Sequence, residues 1–266
     1  MQYRHLRLSP QLNLAITEAG KDAKGIPVVL LHGWTGRRHD WNPSLLRLQQ
    51  AHPLMSIDLP GHGDSADQPP PAWTLHSLAN TLVAALKIWH QGPVILVGHS
   101  MGGAVALEAA RALPQVQGIV LIDTFILPYG DIHEAGAKTI EQPFYENFPK
   151  ALSEMVDAFM APMAPSMQKA AMQRNMCSSN PFLMLPLWSD LLRWSPDDAF
   201  DELGIPIHAI NGDMIPSAAY SRCADYVTEW RMPGAGHFPH VEMPEAFQDL
   251  LAKVVATIKV PSAKGH

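Results

Sequence analysis

Basic residues are in the minority. Lys and Arg number 19 against 25 Asp and Glu, a formal net charge of −6. A non-specific nucleic-acid binder needs a basic face to neutralise phosphates, so that class is excluded. Cysteine is nearly absent. Cys177 and Cys223 cannot make a disulfide scaffold or a four-cysteine zinc site. No Cys, His and Asp spacing resembles a metal site, so neither metal nor cofactor is expected. No run approaches the roughly 18–20 apolar residues that span a bilayer. The first ten residues hold no apolar stretch of the signal-peptide kind. The expectation is a soluble, cytoplasmic protein with two free thiols.

What is present is a globular composition. Apolar residues make up 47% and charged residues 17% of 266, which excludes disorder. That length fits one large domain, or one domain with an insertion.

Tyr3–Leu8 and Leu12–Glu18 alternate weakly between apolar and polar around Ser9-Pro10, as an antiparallel hairpin does. Short apolar runs bounded by Gly or Pro follow at Pro27–Leu31, Leu54–Ile57, Val94–Val97, Ile119–Ile122 and Pro206–Ile210. Such runs read as strands of a parallel sheet covered on both faces. Val227–Met232 is a weaker sixth candidate. Helical spacing marks Leu75–Trp89, with Thr74 as cap, then Gly102–Leu113 and Ala246–Ile258. The order predicts an α/β fold with helices on both faces of a mostly parallel sheet.

Phe125–Asp198 breaks the alternation. It holds Met155, Met160, Met163, Met167, Met172, Met176 and Met184, seven of the thirteen methionines. Candidate helices are Lys150–Met160, Pro165–Met176 and Phe182–Trp194. The stretch reads as a helical cap inserted in a core of residues 1–124 and 199–266. Methionine is flexible and polarizable, so a Met-rich surface adapts to apolar ligands, although it also simply packs. The tail Pro261–His266 is expected to be loose.

Gly98-His99-Ser100-Met101-Gly102 fits G-x-S-x-G between a strand and a helix, the setting the motif requires. The turn is so tight that residues two away on each side must be small. It projects the serine Oγ, and the helix N-terminus behind favours developing negative charge. A serine needs a base. Of thirteen histidines, His237 is best placed, in Gly234-Ala235-Gly236-His237 before the closing helix. His240 competes as a packing residue, and His32 and His99 fit structural roles. Two carboxylates could orient the base. Asp213 follows Ile210-Asn211-Gly212, and Asp123 follows Val120-Leu121-Ile122; both keep the order Ser, acid, His. An oxyanion hole would take backbone N–H groups from Met101 and from Trp34 in His32-Gly33-Trp34. Trp34, Phe125, Phe144, Met163, Phe182 and Trp188 are candidate substrate contacts.

These motifs, together with Asp58-Leu59-Pro60-Gly61-His62-Gly63-Asp64-Ser65, resemble the α/β-hydrolase superfamily. The resemblance implies an eight-stranded, mostly parallel sheet with an N-terminal antiparallel hairpin and a helical cap. Asp58–Ser65 looks like the family's structural turn after the fourth strand. His-Gly-Trp and the overall length are similar to the small serine carboxylesterase branch, which includes the pimeloyl-carrier methyl esterases. The usual family position for the acid holds Ile215 here. A subset of the family places the acid after the sixth strand, which favours Asp123 over Asp213.

The first expectation is therefore a serine hydrolase of a small-molecule ester or lactone. The alternatives are a cofactor-independent dioxygenase or C–C hydrolase using the same triad, and a non-catalytic ligand sensor. Those dioxygenases carry histidines where Met101 and Gly36 stand.

Overall fold

The computed structural model describes residues 1–66 and 72–260. β1 (Gln2–Ser9) and β2 (Leu12–Ala19) form an antiparallel hairpin at the edge of an eight-stranded sheet. β3 (Val28–Leu31), β4 (Leu54–Ile57), β5 (Val94–His99), β6 (Val116–Ile122), β7 (Ile207–Asn211) and β8 (Thr228–Arg231) follow. The order across the sheet is β1-β2-β4-β3-β5-β6-β7-β8, parallel from β4 to β8. Every residue of β3, β4 and β5 is buried. Successive side chains alternate between faces, so Val29 and Leu31 join one core while Val28 and Leu30 join the other. That is why these strands read as nearly unbroken apolar runs, with Ser56 in β4 and His99 at the end of β5 as buried polar exceptions. β8 is an edge strand and only half-buried, so its apolar signal is weak.

The helices are α1 (Asn42–Leu48), α2 (Leu75–Trp89), α3 (Met101–Ala110), α4 (Glu134–Glu146), α5 (Phe148–Phe159), α6 (Ser166–Cys177), α7 (Pro181–Leu192), α8 (Asp197–Glu202), α9 (Ser217–Cys223), α10 (Pro239–Glu242) and α11 (Pro244–Thr257). α2 and α3 bury Leu78, Leu82 and Val105 against the Val29 face. α1 and α11 bury Leu45, Phe247 and Leu251 against the Val28 face. The Thr74 hydroxyl accepts from Ser77 N–H and opens α2 where expected. α3 stops three residues short of the expected Leu113. Its last amides, Ala112 and Leu113, bond to Ala109 and Ala110 instead, a tightened final turn.

α4 to α8 lie between β6 and β7. The expected helices appear as α5, α6 and α7 with ends shifted by one or two residues. α4 was not expected. It buries only Ala137, Glu141 and Phe144 and carries Pro143 inside it, so its apolar stripe is too thin to read. α8 crosses the expected boundary between residues 198 and 199. The tail Pro261–His266 lies outside the described residues. Among the described residues no helix is long and apolar enough to cross a membrane. Cys177 and Cys223 are free.

Candidate active site

β5 delivers the chain to Ser100 and α3 carries it away. Ser100 holds φ 51° and ψ −121°, a conformation that costs a non-glycine residue on the order of 1–3 kcal/mol. The turn has no spare room. A Cβ on Gly98 would stand 2.2 Å from the Gly102 carbonyl oxygen, and one on Gly102 would stand 2.5 Å from the Leu31 oxygen. Ser100 N–H donates to Ile122 O at 2.9 Å and ties the turn to β6. Among the described residues, positive φ in a non-glycine residue occurs at Thr35, Ser100 and Asp123. All three lie beyond or at the C-terminal ends of central strands, β3, β5 and β6.

Asp123 is fully buried, and its Oδ2 lies 2.7 Å from His237 Nδ1. Its Oδ1 accepts from Gly212 N–H at 2.8 Å. Asp213 has a different partner. Its Oδ2 accepts from Gly234 N–H at 2.6 Å, in the loop that precedes His237. His99 Nε2–H donates to the His237 carbonyl at 2.8 Å, and His237 N–H donates to Phe159 O at 2.7 Å.

The other buried histidines are neutral. Leu59 N–H donates to His32 Nε2, so His32 Nδ1 carries the proton and donates to Gly33 O at 2.8 Å. Burial pushes His32 down to about 4 and His240 down to about 3. His240 stacks on Trp41, with ring centres 5.3 Å apart. Burial likewise holds His99 well below the usual imidazole range. Asp58 organises the turn after β4. It accepts from the Arg38 and Asp64 amides and pairs with the Arg38 guanidinium.

Gly33, Trp34, His99, Ser100 and His237 line one cavity, closed over by Met155, Phe159, Met172, Met176 and Trp188. Its free volume is about 40 Å³, room for a water or so and not for an ester substrate. Trp34 seals one wall. Its indole N–H donates to Met184 O at 3.1 Å, and its ring stacks on Trp188 at 4.6 Å. Asp40 also lines the cavity, and burial raises its carboxyl to about 6. Met101, the first residue of α3, is fully buried behind Ser100. The first amides of a helix have no partner within it.

The structure separates the six expected contacts. Of six, Trp34 and Trp188 line the cavity; Phe125, Phe144, Met163 and Phe182 do not. Phe125 packs against Trp194 and Phe200. Phe144 packs edge-on behind Trp34. Met163 lies between α5 and α6 and is 91% exposed. Phe182 is 86% exposed, because α7 turns Met184, Leu187, Trp188 and Leu191 inward. Tyr129, Met155, Phe159, Met172 and Met176 also line the cavity and were not among the six. Met172 and Met176 are four apart on α6, a same-face pair that helical spacing makes visible.

Among the described residues no group of three His, Cys, Asp or Glu could hold a metal ion. The family model described as the alpha/beta hydrolase family matches residues 28–250. The chain belongs to the alpha/beta hydrolase family. This alpha/beta hydrolase is 32% identical over 151 residues to the lipase LipV of Mycobacterium tuberculosis, covering 56% of this chain and 57% of the lipase. It is 36% identical over 98 residues to the pimeloyl-[acyl-carrier protein] methyl ester esterase of Xylella fastidiosa, covering 37% and 36%. The matches thus span about half and about a third of those relatives. The bromoperoxidase of Bacillus anthracis shares the fold, with TM-score 0.83 at 17% identity over 96% of this chain and 100% of that one.

Proposed function

We infer that the chain is a serine hydrolase of carboxylic esters or lactones. The carrying observation is the Asp123–His237 contact at 2.7 Å beside a cavity that also presents Ser100 on its strained turn. In this reading Ser100 Oγ attacks the carbonyl carbon as His237 Nε2 takes its proton. The backbone N–H groups of Trp34 and Met101 receive the oxyanion, each worth about 2.7–4 kcal/mol in the transition state. Collapse expels the alcohol, which takes the proton from His237. Water, deprotonated by His237, then attacks the acyl-serine, and Ser100 regains its proton. Asp123 keeps the proton on Nδ1 and stabilises the imidazolium. The two curated relatives are named for ester cleavage, which supports the reading.

Residues 125–198 act here as a cap on a core of residues 1–124 and 199–266. The cap opens to admit a small-molecule ester, and its apolar lining favours an apolar acyl or alcohol group.

The test is hydrolysis of p-nitrophenyl esters of increasing acyl length by wild type and Ser100→Ala. Activity lost in the variant is expected, and the length optimum sizes the opened cavity. Activity that survives in Ser100→Ala removes Ser100 as nucleophile. Wild type inert on every ester would favour the dioxygenase or ligand-sensor reading.

A further inference from the structure

His237 stands in a stretch with no regular secondary structure, yet the backbone around it is clamped. His237 N–H donates to Phe159 O, and its C=O accepts from His99 Nε2–H. The amides on either side of it converge on one carboxylate. Gly236 N–H donates to Glu242 Oε2 at 3.0 Å, and Phe238 N–H donates to Glu242 Oε1 at 2.9 Å. Oε2 also accepts from Ala161 N–H at 2.8 Å, in the linker between α5 and α6. That linker presses on the loop. A Cβ on Gly236 would stand 2.5 Å from both Ala161 N and Phe159 O. Glu242 therefore receives three backbone donors and bridges two chain segments that the His237 N–H to Phe159 O bond also ties.

We propose that Glu242 is a positioning residue for the proposed base: it holds both neighbours of His237 and locks their loop to the segment that closes the cavity.

The physical argument concerns placement. Asp123 fixes the imidazole from one side only, through Nδ1. Rotation and sliding of the ring are limited by its packing on His99, Phe159 and Phe238 and by its own backbone, which lies outside any helix or strand. Charge-assisted bonds from amides to a carboxylate are about twice as strong as neutral ones. Three of them on one side chain stiffen residues 236–238 as a unit. A simpler role, capping the four-residue α10, uses the Phe238 amide alone and leaves the Gly236 and Ala161 bonds without purpose.

This inference rests on the hydrolase reading for its kinetic arm, so the experiment has a second arm that needs no activity. Glu242→Gln keeps the shape but replaces one acceptor oxygen with an NH₂ that faces a backbone N–H. The expected result is a fall in kcat of about 10- to 100-fold with KM little changed, as for a misplacement of about 1 Å. The low-field proton resonance of His237 Nδ1–H against Asp123 is expected to broaden or move in the same variant. Glu245→Gln, an exposed neighbour on α11, controls for the lost charge and is expected to change neither. Glu242→Asp keeps the charge with a shorter reach and is expected to fall between wild type and Glu242→Gln. If Glu242→Gln does not fold, Glu242→Asp decides. Wild-type kcat together with an unmoved resonance in the folded variant would overturn the proposal. A moved resonance in a protein inert on every ester would support the positioning role and sink the hydrolase reading alone.

Discussion

His237 Nδ1 lies 2.7 Å from Asp123 Oδ2, while the competing carboxylate, Asp213, directs its Oδ2 to the Gly234 amide. The two aspartates therefore make different predictions. Asp123→Asn leaves the ring with an amide that cannot hold the required tautomer, and kcat is expected to fall by about 10⁴-fold. Asp213→Asn keeps an amide oxygen that can accept from Gly234 N–H, so only the charge is lost, at a cost of about 1 kcal/mol or less of local stability. Steady-state kinetics of the two variants on one ester check the ranking. A larger loss in Asp213→Asn would transfer the acid role to that residue.

Acid should unfold this protein early. Burial depresses His32 to about 4 and His62 and His240 to about 3. Each folded-state value lies below the unfolded value of about 6.5. Below that pH the unfolded chain takes up protons that the folded chain refuses. Stability is therefore whole above about pH 6.5 and is lost as pH falls toward the folded values, by roughly 3–5 kcal/mol per ring at the limit. Asp40 runs the other way. Burial raises it to about 6, so its cost is relieved as pH falls below that value. One carboxyl against four buried rings, His99 among them, leaves the net direction destabilising. Urea midpoints at about pH 8 and about pH 5 test the sign, and an equal or higher midpoint at the lower pH contradicts it.

Strands buried on both faces announce themselves, because nearly every position is apolar; β3, β4 and β5 are of this kind, with Ser56 and His99 the exceptions. The edge strand β8 and the thin-striped helix α4 do not. The Ser100 turn is legible for a steric reason, since only glycine fits at positions 98 and 102. The choice between Asp123 and Asp213 was not legible from the residues alone. Both follow a strand, and which one meets the ring depends on the left-handed turn at Asp123, φ 47°, which no neighbouring residue type demands. The cavity walls were the least legible. Phe182 and Met184 are two residues apart on α7, one exposed and one fully buried. Which of them turns inward depends on where the helix lies against Trp34.

That contact yields a further prediction. Trp34→Phe keeps the backbone N–H proposed for the oxyanion but deletes the indole bond to Met184 O and part of the stack on Trp188. The lost hydrogen bond is worth about 1 kcal/mol, a fall in Tm of about 2–4 °C for a chain of this size. The seat of α7 loosens while the donor stays, so KM is expected to change more than kcat. A collapse of kcat at constant KM would mean that the indole fixes the oxyanion loop itself.

Arg38 and Asp58 form a buried ion pair, 3% and 0% exposed. Asp64 makes a second contact to the same guanidinium at 2.7 Å. Asp58→Asn removes the buried charge facing the Arg38 guanidinium and turns an NH₂ toward one of the two amides that now donate to the carboxylate, that of Arg38 or that of Asp64. Breaking such a pair from one side costs about 3–5 kcal/mol. The exposed pair Arg47–Asp249, 49% and 75% exposed, is screened by water and is worth about 0–1 kcal/mol. Urea unfolding of Asp58→Asn and Asp249→Asn compares them directly. A large drop in midpoint at unchanged m is expected only for the first. Equal small shifts would mean that Asp64 alone can hold Arg38, and that the turn after β4 does not depend on its buried carboxylate.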